Sequence, residues 1–283
     1  MYRIAFKAAL NSTVTRMDIE APLVARKAKP GQFIILRVDP EGERIPLTVA
    51  GTDPEAGTVA IIFQIVGATT EKLNRLEQGD YLQDFVGPLG RPTHTAGKKK
   101  VCIVGGGVGC AIALPVARAF HEQGTEVTSI IGFRSKDIVI LEEEFRACSD
   151  TAILMTDDGS YGRHGNVTVP LKEMLENGET FDEIITIGPL IMMKFVTLTA
   201  KPFGIPVTVS MNPIMIDGTG MCGGCRLTLH REGKAITQFA CVDGPEFNGY
   251  EVDFDEAISR GRMYADFEAR AREKTCNLFK EVR

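Results

Sequence analysis

The rhythm of the chain changes once, near Lys100, and that change limits the fold more than any other feature. Up to about Ala96, short β-rich runs such as Gln32–Val38 and Val59–Val66 alternate with turn signals at Asp39-Pro40, Asp53-Pro54, Gly79-Asp80 and Gly87-Pro88. Many short strands with regular punctuation predict a small antiparallel barrel. Thr95–Lys100 is a polar hinge. From Val101 a buried-type strand runs into Gly105-Gly-Gly-Val-Gly109 and then into a helix through Phe120, stopped near Gly124. Strands follow at Val127–Ile131, Ala152–Thr156, Glu183–Ile187 and Pro206–Val209, separated by helices at Val139–Ala147, Pro170–Glu176 and Leu190–Lys201. Strand and helix alternating at this pace predict a doubly wound parallel sheet. The expected organisation is a barrel over 1–96, an α/β domain over 100–210, a loop segment over 211–250 and a helical tail over 251–283. In that tail Ala257, Tyr264, Phe267 and Ala271 are the expected apolar contacts.

Composition excludes several classes of partner. A length of 283 residues suffices for two cores. A net charge of −5 with both signs interspersed argues against nucleic acid. The first ten residues read as a strand and lack the apolar core and cleavage site of a signal peptide. No apolar run approaches the length that spans a bilayer. The expectation is a cytoplasmic protein without membrane contact.

Three groups of residues point to ligand chemistry in the α/β half. Gly105–Gly109 follows the first parallel strand and opens a helix, where free backbone N–H groups receive a pyrophosphate. Nucleotide binding is therefore expected at this turn. Arg134 stands at the end of the second strand, where an acidic residue would read a ribose diol, so charge does not choose between NAD and NADP. Thr156–Gly162, including Asp158, Gly159 and Ser160, and Gly188–Met193 fall at the carboxyl ends of further strands, where such sheets bind ligands. A solvated turn and a helix start account for the same letters. In the barrel, Arg44-Ile-Pro-Leu-Thr48, Val66–Thr70 and Val86–Gly90 offer a cation, hydroxyls and close-approach turns.

The loop segment carries Asp217-Gly-Thr-Gly-Met-Cys222-Gly-Gly-Cys225, with Cys241 fifteen residues on. Its spacing, D-x4-C-x2-C-x15-C, is the plant-type iron–sulfur spacing with a carboxylate in the first slot. Four anionic donors suit a [2Fe–2S] core, two for each iron. Zinc accepts the same donors tetrahedrally, and Asp217-Gly218 also reads as a turn. Cys102, Cys110, Cys148 and Cys276 read as small buried hydrophobes.

Taken in order, R-x-P-L-T, V-G-x-x-T, G-P-L-G, G-G-G-x-G, D-G-S-x-G and G-P resemble the ferredoxin–NADP reductase-like flavoprotein superfamily. The Asp217–Cys225 loop is similar to that of the electron-transfer subunits of dihydroorotate dehydrogenase. More closely it resembles the small subunits of NADH-dependent reduced ferredoxin:NADP oxidoreductase, where a carboxylate serves as a cluster ligand. The resemblance implies FAD contacts from Arg44, Pro46, Leu47 and Thr48, from Val66, Gly67 and Thr70, and from Gly87, Pro88 and Leu89. It implies NAD(H) contacts from Gly106, Gly107, Gly109, Arg134 and Asp158–Ser160, and cluster ligation by Asp217, Cys222, Cys225 and Cys241. Thr48 is the expected catalytic hydroxyl, near the flavin N5. In the wider superfamily's R-x-Y-S/T motif Leu47 stands in the tyrosine's place and Ile45 in the arginine's, so no tyrosine stacks on the flavin there and Arg44 stands one residue early. The implied partner is a larger iron–sulfur flavoprotein subunit, at which electrons divide between NADP and ferredoxin. The alternatives are an electron-transfer subunit of dihydroorotate dehydrogenase or of another iron–sulfur flavoprotein, and a zinc-stabilised nucleotide-binding module without a redox role.

Overall fold

A computed structural model describes residues 1–263, 266–270 and 273. The first half is an antiparallel, nearly closed barrel of β1 (Tyr2–Ala9), β2 (Val14–Glu20), β3 (Phe33–Arg37), β4 (Arg44–Asp53), β5 (Thr58–Gln64), β6 (Tyr81–Leu82) and β7 (Asp84–Leu89). Its strand order is β6-β1-β2-β5-β4-β3-β7. Two short helices interrupt it, α1 (Pro22–Ala25) and α2 (Ala68–Arg75). Alternation shows in part which side chains face in: Val59, Ile61 and Phe63 of β5 are buried, Ile62 is less so, and only the small Ala60 is buried on the other face. The expected helix at Glu71–Leu76 begins three residues earlier because Thr70 caps it, its hydroxyl accepting from the Val66 and Gly67 amides at 3.0 Å.

The second half is built on β8 (Lys100–Gly106), α3 (Gly109–Glu122), β9 (Glu126–Phe133), α4 (Glu142–Ala147), β10 (Thr151–Thr156), β11 (Arg163–His164), α5 (Thr168–Glu176), β12 (Glu183–Ile187), α6 (Leu190–Ala200) and β13 (Val207–Ser210). The sheet runs β11-β10-β9-β8-β12-β13-β16, where β16 (Glu246–Asn248) is an antiparallel edge and the rest pair in parallel. Val101–Val104 are buried on both faces, as a parallel strand sandwiched between helices must be. Helix α4 starts at Glu142 rather than Val139, since Lys136–Ile138 form a separate 3₁₀ turn.

Between β13 and β16 the segment expected to be loop contains a hairpin, β14 (Arg226–Arg231) and β15 (Lys234–Phe239). Glu232 and Gly233 both take positive φ, 50° and 76°, the two-residue turn that matches strand twist. Helix α7 (Phe254–Gly261) starts the tail; the Asp253 side chain accepts the Glu256 amide as its N-cap. Ala257 packs against the core as expected, but Phe267 is 70% exposed and does not. Tyr264, Ala271 and Cys276 lie outside the described residues. No helix among the described residues is long and apolar enough to cross a membrane.

Candidate functional site

The order of the parallel sheet makes the site. Strands β9 and β10 lie on one side of β8 and β12 on the other, so the chain reverses direction across the sheet between β8 and β12. A crevice opens outside the carboxyl ends of strands at such a point. Both glycine motifs end there. A Cβ on Gly109 would stand 2.5 Å from the Ile187 carbonyl oxygen, and one on Gly106 2.3 Å from Met192 Sδ. The Gly107 amide donates to the Gly132 carbonyl at 2.9 Å, tying the turn to the end of β9. The two motifs are therefore packed backbone to backbone, and the glycines are required by that approach.

A cleft of about 1330 Å³ runs from this turn to the barrel. Single-ligand pockets occupy roughly 300–1,000 Å³, so it has room for more than one mononucleotide-sized group. Pro46, Leu47, Thr48, Val66 and Thr70 line it from the barrel, and Gly106, Gly107, Gly109 and Arg134 from the α/β half. Gly188, Pro189 and Met192 line it as well, whereas Met193 is fully buried core.

The other expected contacts lie elsewhere. Arg44 is exposed at the start of β4, not its end, and does not line the cleft. Gly67 is the N-cap of α2, beside the lining rather than in it. Gly87, Pro88 and Leu89 are also outside it. A Cβ on Gly218 would meet Leu89 Cδ1 at 2.7 Å, so Leu89 packs against the Asp/Cys loop. Asp158, Gly159 and Ser160 form a self-bonded turn in which the Asp158 carboxylate accepts from the Ser160 amide at 2.9 Å and hydroxyl at 2.6 Å. That hydroxyl contact, first, holds the Asp158 carboxyl below its ordinary range. Asp157, one residue earlier, lines the cleft instead. So do Asn166, Thr168 and the Ser210–Pro213 run, which sequence reasoning missed.

The hairpin explains the fifteen-residue spacer. Arg226 pairs with Phe239, and the Ala240 amide donates to the Cys225 carbonyl at 3.1 Å, so an excursion of β-structure returns Cys241 to Cys225. Their sulfurs stand 3.2 Å apart, both buried. Burial first, then the neighbouring Cys225 thiol, pushes the Cys241 thiol up to about 12. Asp217 accepts the Thr219 amide at 2.9 Å and the Cys222 amide at 2.7 Å. The Thr219 contact is the largest reason its carboxyl stays below the ordinary range, and the Cys222 thiol also reaches it. Cys222 is exposed. Among the described residues no three His, Cys, Asp or Glu side chains gather as a single-ion site. The donors stand as two pairs, Asp217 with Cys222 and Cys225 with Cys241, and a binuclear core asks for two donors at each metal. The donor set fits that group. Cys102, Cys110 and Cys148 are buried away from it, the first two with thiols pushed up by burial.

Residues 212–253 match the iron–sulfur cluster binding domain of dihydroorotate dehydrogenase B. A Thermotoga maritima relative, a homolog of the NAD(+)-type dihydroorotate dehydrogenase B electron-transfer subunit, is 48% identical over 88% of this chain and 86% of its own. This chain belongs to that electron-transfer subunit family. An Enterococcus faecalis electron-transfer subunit of dihydroorotate dehydrogenase B is 31% identical over 89% of this subunit and 97% of its own length. The solved structure of an NADH-dependent reduced ferredoxin-NADP oxidoreductase, studied for flavin-based electron bifurcation, superposes with a TM-score of 0.89. It is 42% identical, with 97% of both chains covered. The Amycolatopsis cytochrome P450 reductase GcoB shares the fold alone, at 21% identity and a TM-score of 0.60 over 72% of this subunit and 66% of that chain. The subunit is thus an oxidoreductase electron-transfer subunit with a ferredoxin–NADP reductase-like fold, and family membership implies a capacity for FAD, NAD(H) and iron–sulfur binding.

Proposed function

We propose that this subunit takes reducing equivalents from NADH, or returns them to NAD, and exchanges single electrons with a larger iron–sulfur flavoprotein partner in a bifurcating ferredoxin:NADP oxidoreductase. The observation that carries this reading is the convergence, in one chain, of the cleft at the strand-order reversal with the paired donors Asp217/Cys222 and Cys225/Cys241. FAD and a [2Fe–2S] cluster, when bound, would supply the conversion between a two-electron donor and one-electron carriers.

The chain's own residues have separable tasks. Pro46, Leu47, Thr48, Val66 and Thr70 would hold the flavin against the barrel, Leu47 presenting an apolar surface and Thr48 a hydroxyl donor. Gly106 and Gly107 would let the dinucleotide's phosphates approach the turn closely, and Gly109 would leave its backbone N–H open to them. Asp217, Cys222, Cys225 and Cys241 would hold the cluster, one pair at each iron. Leu89, wedged on Gly218, joins the barrel to that loop directly. Around the loop, Ile214, Ile216 and Met221 are exposed, Met221 by 88%, an apolar rim suited to a partner subunit. Similarity to the NADH-dependent reduced ferredoxin-NADP oxidoreductase over 97% of both chains supports the bifurcating assembly. So does Asp217, standing in the slot where the plant-type spacing has cysteine.

Anaerobic titration of the purified chain with NADH, followed by visible absorption, tests this reading. Bleaching of a flavin band together with a broad iron–sulfur band is the expected outcome. A colourless protein, or a flavin band that NADH leaves untouched, would overturn it.

A further inference from the structure

Arg134 and Asp157 are the charged residues lining the cleft. Among the described residues neither side chain has a hydrogen-bond or ion-pair partner, although the strands that carry them are neighbours. The Asp157 amide donates to the Phe133 carbonyl at 3.0 Å and the Asp158 amide to the Arg134 carbonyl at 3.2 Å. The end of β10 thus places a free carboxylate beside the end of β9, which is where a doubly wound sheet reads the adenosine ribose. The acidic residue that β9 itself lacks is supplied by the adjacent strand.

The remaining polar groups of this rim are committed in a way that disfavours a second phosphate. The Ser135 hydroxyl donates to Asp137, and the Ser160 hydroxyl to Asp158 while accepting the Lys136 amide at 2.8 Å. The Lys136 ammonium sits 5.3 Å from the centre of the Tyr161 ring. A 2′-phosphate needs several donors gathered at one point, and Arg134 alone is free to offer them. It would also meet Asp157.

We propose that Asp157 reads the adenosine ribose, accepting from its free hydroxyls and repelling a 2′-phosphate, so that it sets a preference for NADH over NADPH. The inference rests on the nucleotide-binding reading of the cleft given above. Arg134 is left to meet the adenine or the pyrophosphate, which both dinucleotides share.

The test is calorimetric binding of NAD⁺ and NADP⁺ to the purified chain as wild type, Asp157→Asn, Asp158→Asn and Arg134→Gln. Asp157 is exposed and bonds no side chain, so its isosteric replacement leaves folding intact. Wild type should bind NAD⁺ more tightly. Asp157→Asn should shift the NAD⁺/NADP⁺ affinity ratio toward NADP⁺ by about tenfold or more, because it removes a like-charge juxtaposition. Asp158→Asn should leave the ratio nearly unchanged, and Arg134→Gln should weaken both ligands together. If NAD⁺ binds and Asp157→Asn leaves the ratio alone, or Asp158→Asn moves it equally, the role given to Asp157 is wrong while the nucleotide site stands. If wild type binds neither dinucleotide, the site and the inference fall together.

Discussion

The glycine turn at Gly105–Gly109 and the Asp/Cys loop at Asp217–Cys225 are both glycine-rich, yet they are built on opposite plans. The turn is complete in backbone alone. Gly109 presses on Ile187 and Gly188, and Gly106 on Met192, at distances that leave no room for a methyl group. The loop is complete only as pairs. Cys225 and Cys241 are brought together by the β14–β15 hairpin, while Asp217 caps its own backbone beside an exposed Cys222. A Cβ on Gly223 would find nothing closer than Phe239 Cε1 at 3.8 Å. A phosphate site made of N–H groups can be prebuilt at no electrostatic cost. The proposed donor set of one carboxylate and three thiols would instead have to release thiol protons to bind metal.

Gly109→Ala should show the largest effect, because the new methyl collides with a backbone carbonyl rather than a movable side chain. We expect a loss of about 3 kcal/mol or more in denaturant unfolding, and collapse of dinucleotide binding with it. A stable variant that still bound NAD⁺ would break the claim that the turn is prebuilt. Cys241→Ser should act in reverse: iron content falls to near zero by metal analysis while NAD⁺ affinity stays within about twofold, since the pair is lost but the turn is untouched.

A third variant probes the junction between the two regions. Glu246 accepts from the Thr93 hydroxyl at 2.6 Å, and a Cβ on Gly31 would stand 3.1 Å from the carboxylate, so barrel, linker and β16 meet there. Desolvation, opposed by the Thr93 bond and aided by Glu183, raises its carboxyl from the ordinary 4.5 to about 7. The folded protein therefore holds this proton better than the unfolded chain, and stability falls as pH rises from about 4.5 through 7. Over pH 5 to 8 the loss is about 2–3 kcal/mol. Glu246→Gln, which keeps the acceptor, should flatten that part of the profile in denaturation measured across this range. A profile unchanged by the substitution would show the carboxylate to be solvated and the junction loose. Gly223→Ala should be mildest: with φ of +66° and open space it costs about 1 kcal/mol and leaves the iron content in place.

Much of this was legible in the sequence because it depends on local pattern. Turn-punctuated β-rich runs such as β5, buried runs in β8 and β12, and a glycine turn between strand and helix each follow from one stretch of chain. The hairpin is less legible: Leu227 and Leu229 alternate with polar residues ahead of Glu232-Gly233, but two apolar positions are too short a period to mark a strand. Side-chain direction was less legible. Arg44 and Thr48 share a strand, but only Thr48 reaches the cleft, and Leu89 faces the Asp/Cys loop. Asp157 and Asp158 are adjacent letters separated in role by a hydrogen bond to Ser160, which no spacing reveals. Glu246 depends on Thr93, 153 positions away.

In the proposed function one chain joins an NADH-accessible flavin site to a [2Fe–2S] site with an aspartate ligand. Electron paramagnetic resonance of the anaerobically purified protein, before and after NADH, tests it most directly, with iron and zinc quantified on the same sample and Asp217→Cys run beside wild type. The expected result is about two irons per chain, no zinc, a reduced [2Fe–2S] signal that appears with NADH, and a changed line shape in Asp217→Cys. Stoichiometric zinc with no signal, or a signal indifferent to Asp217, would contradict it.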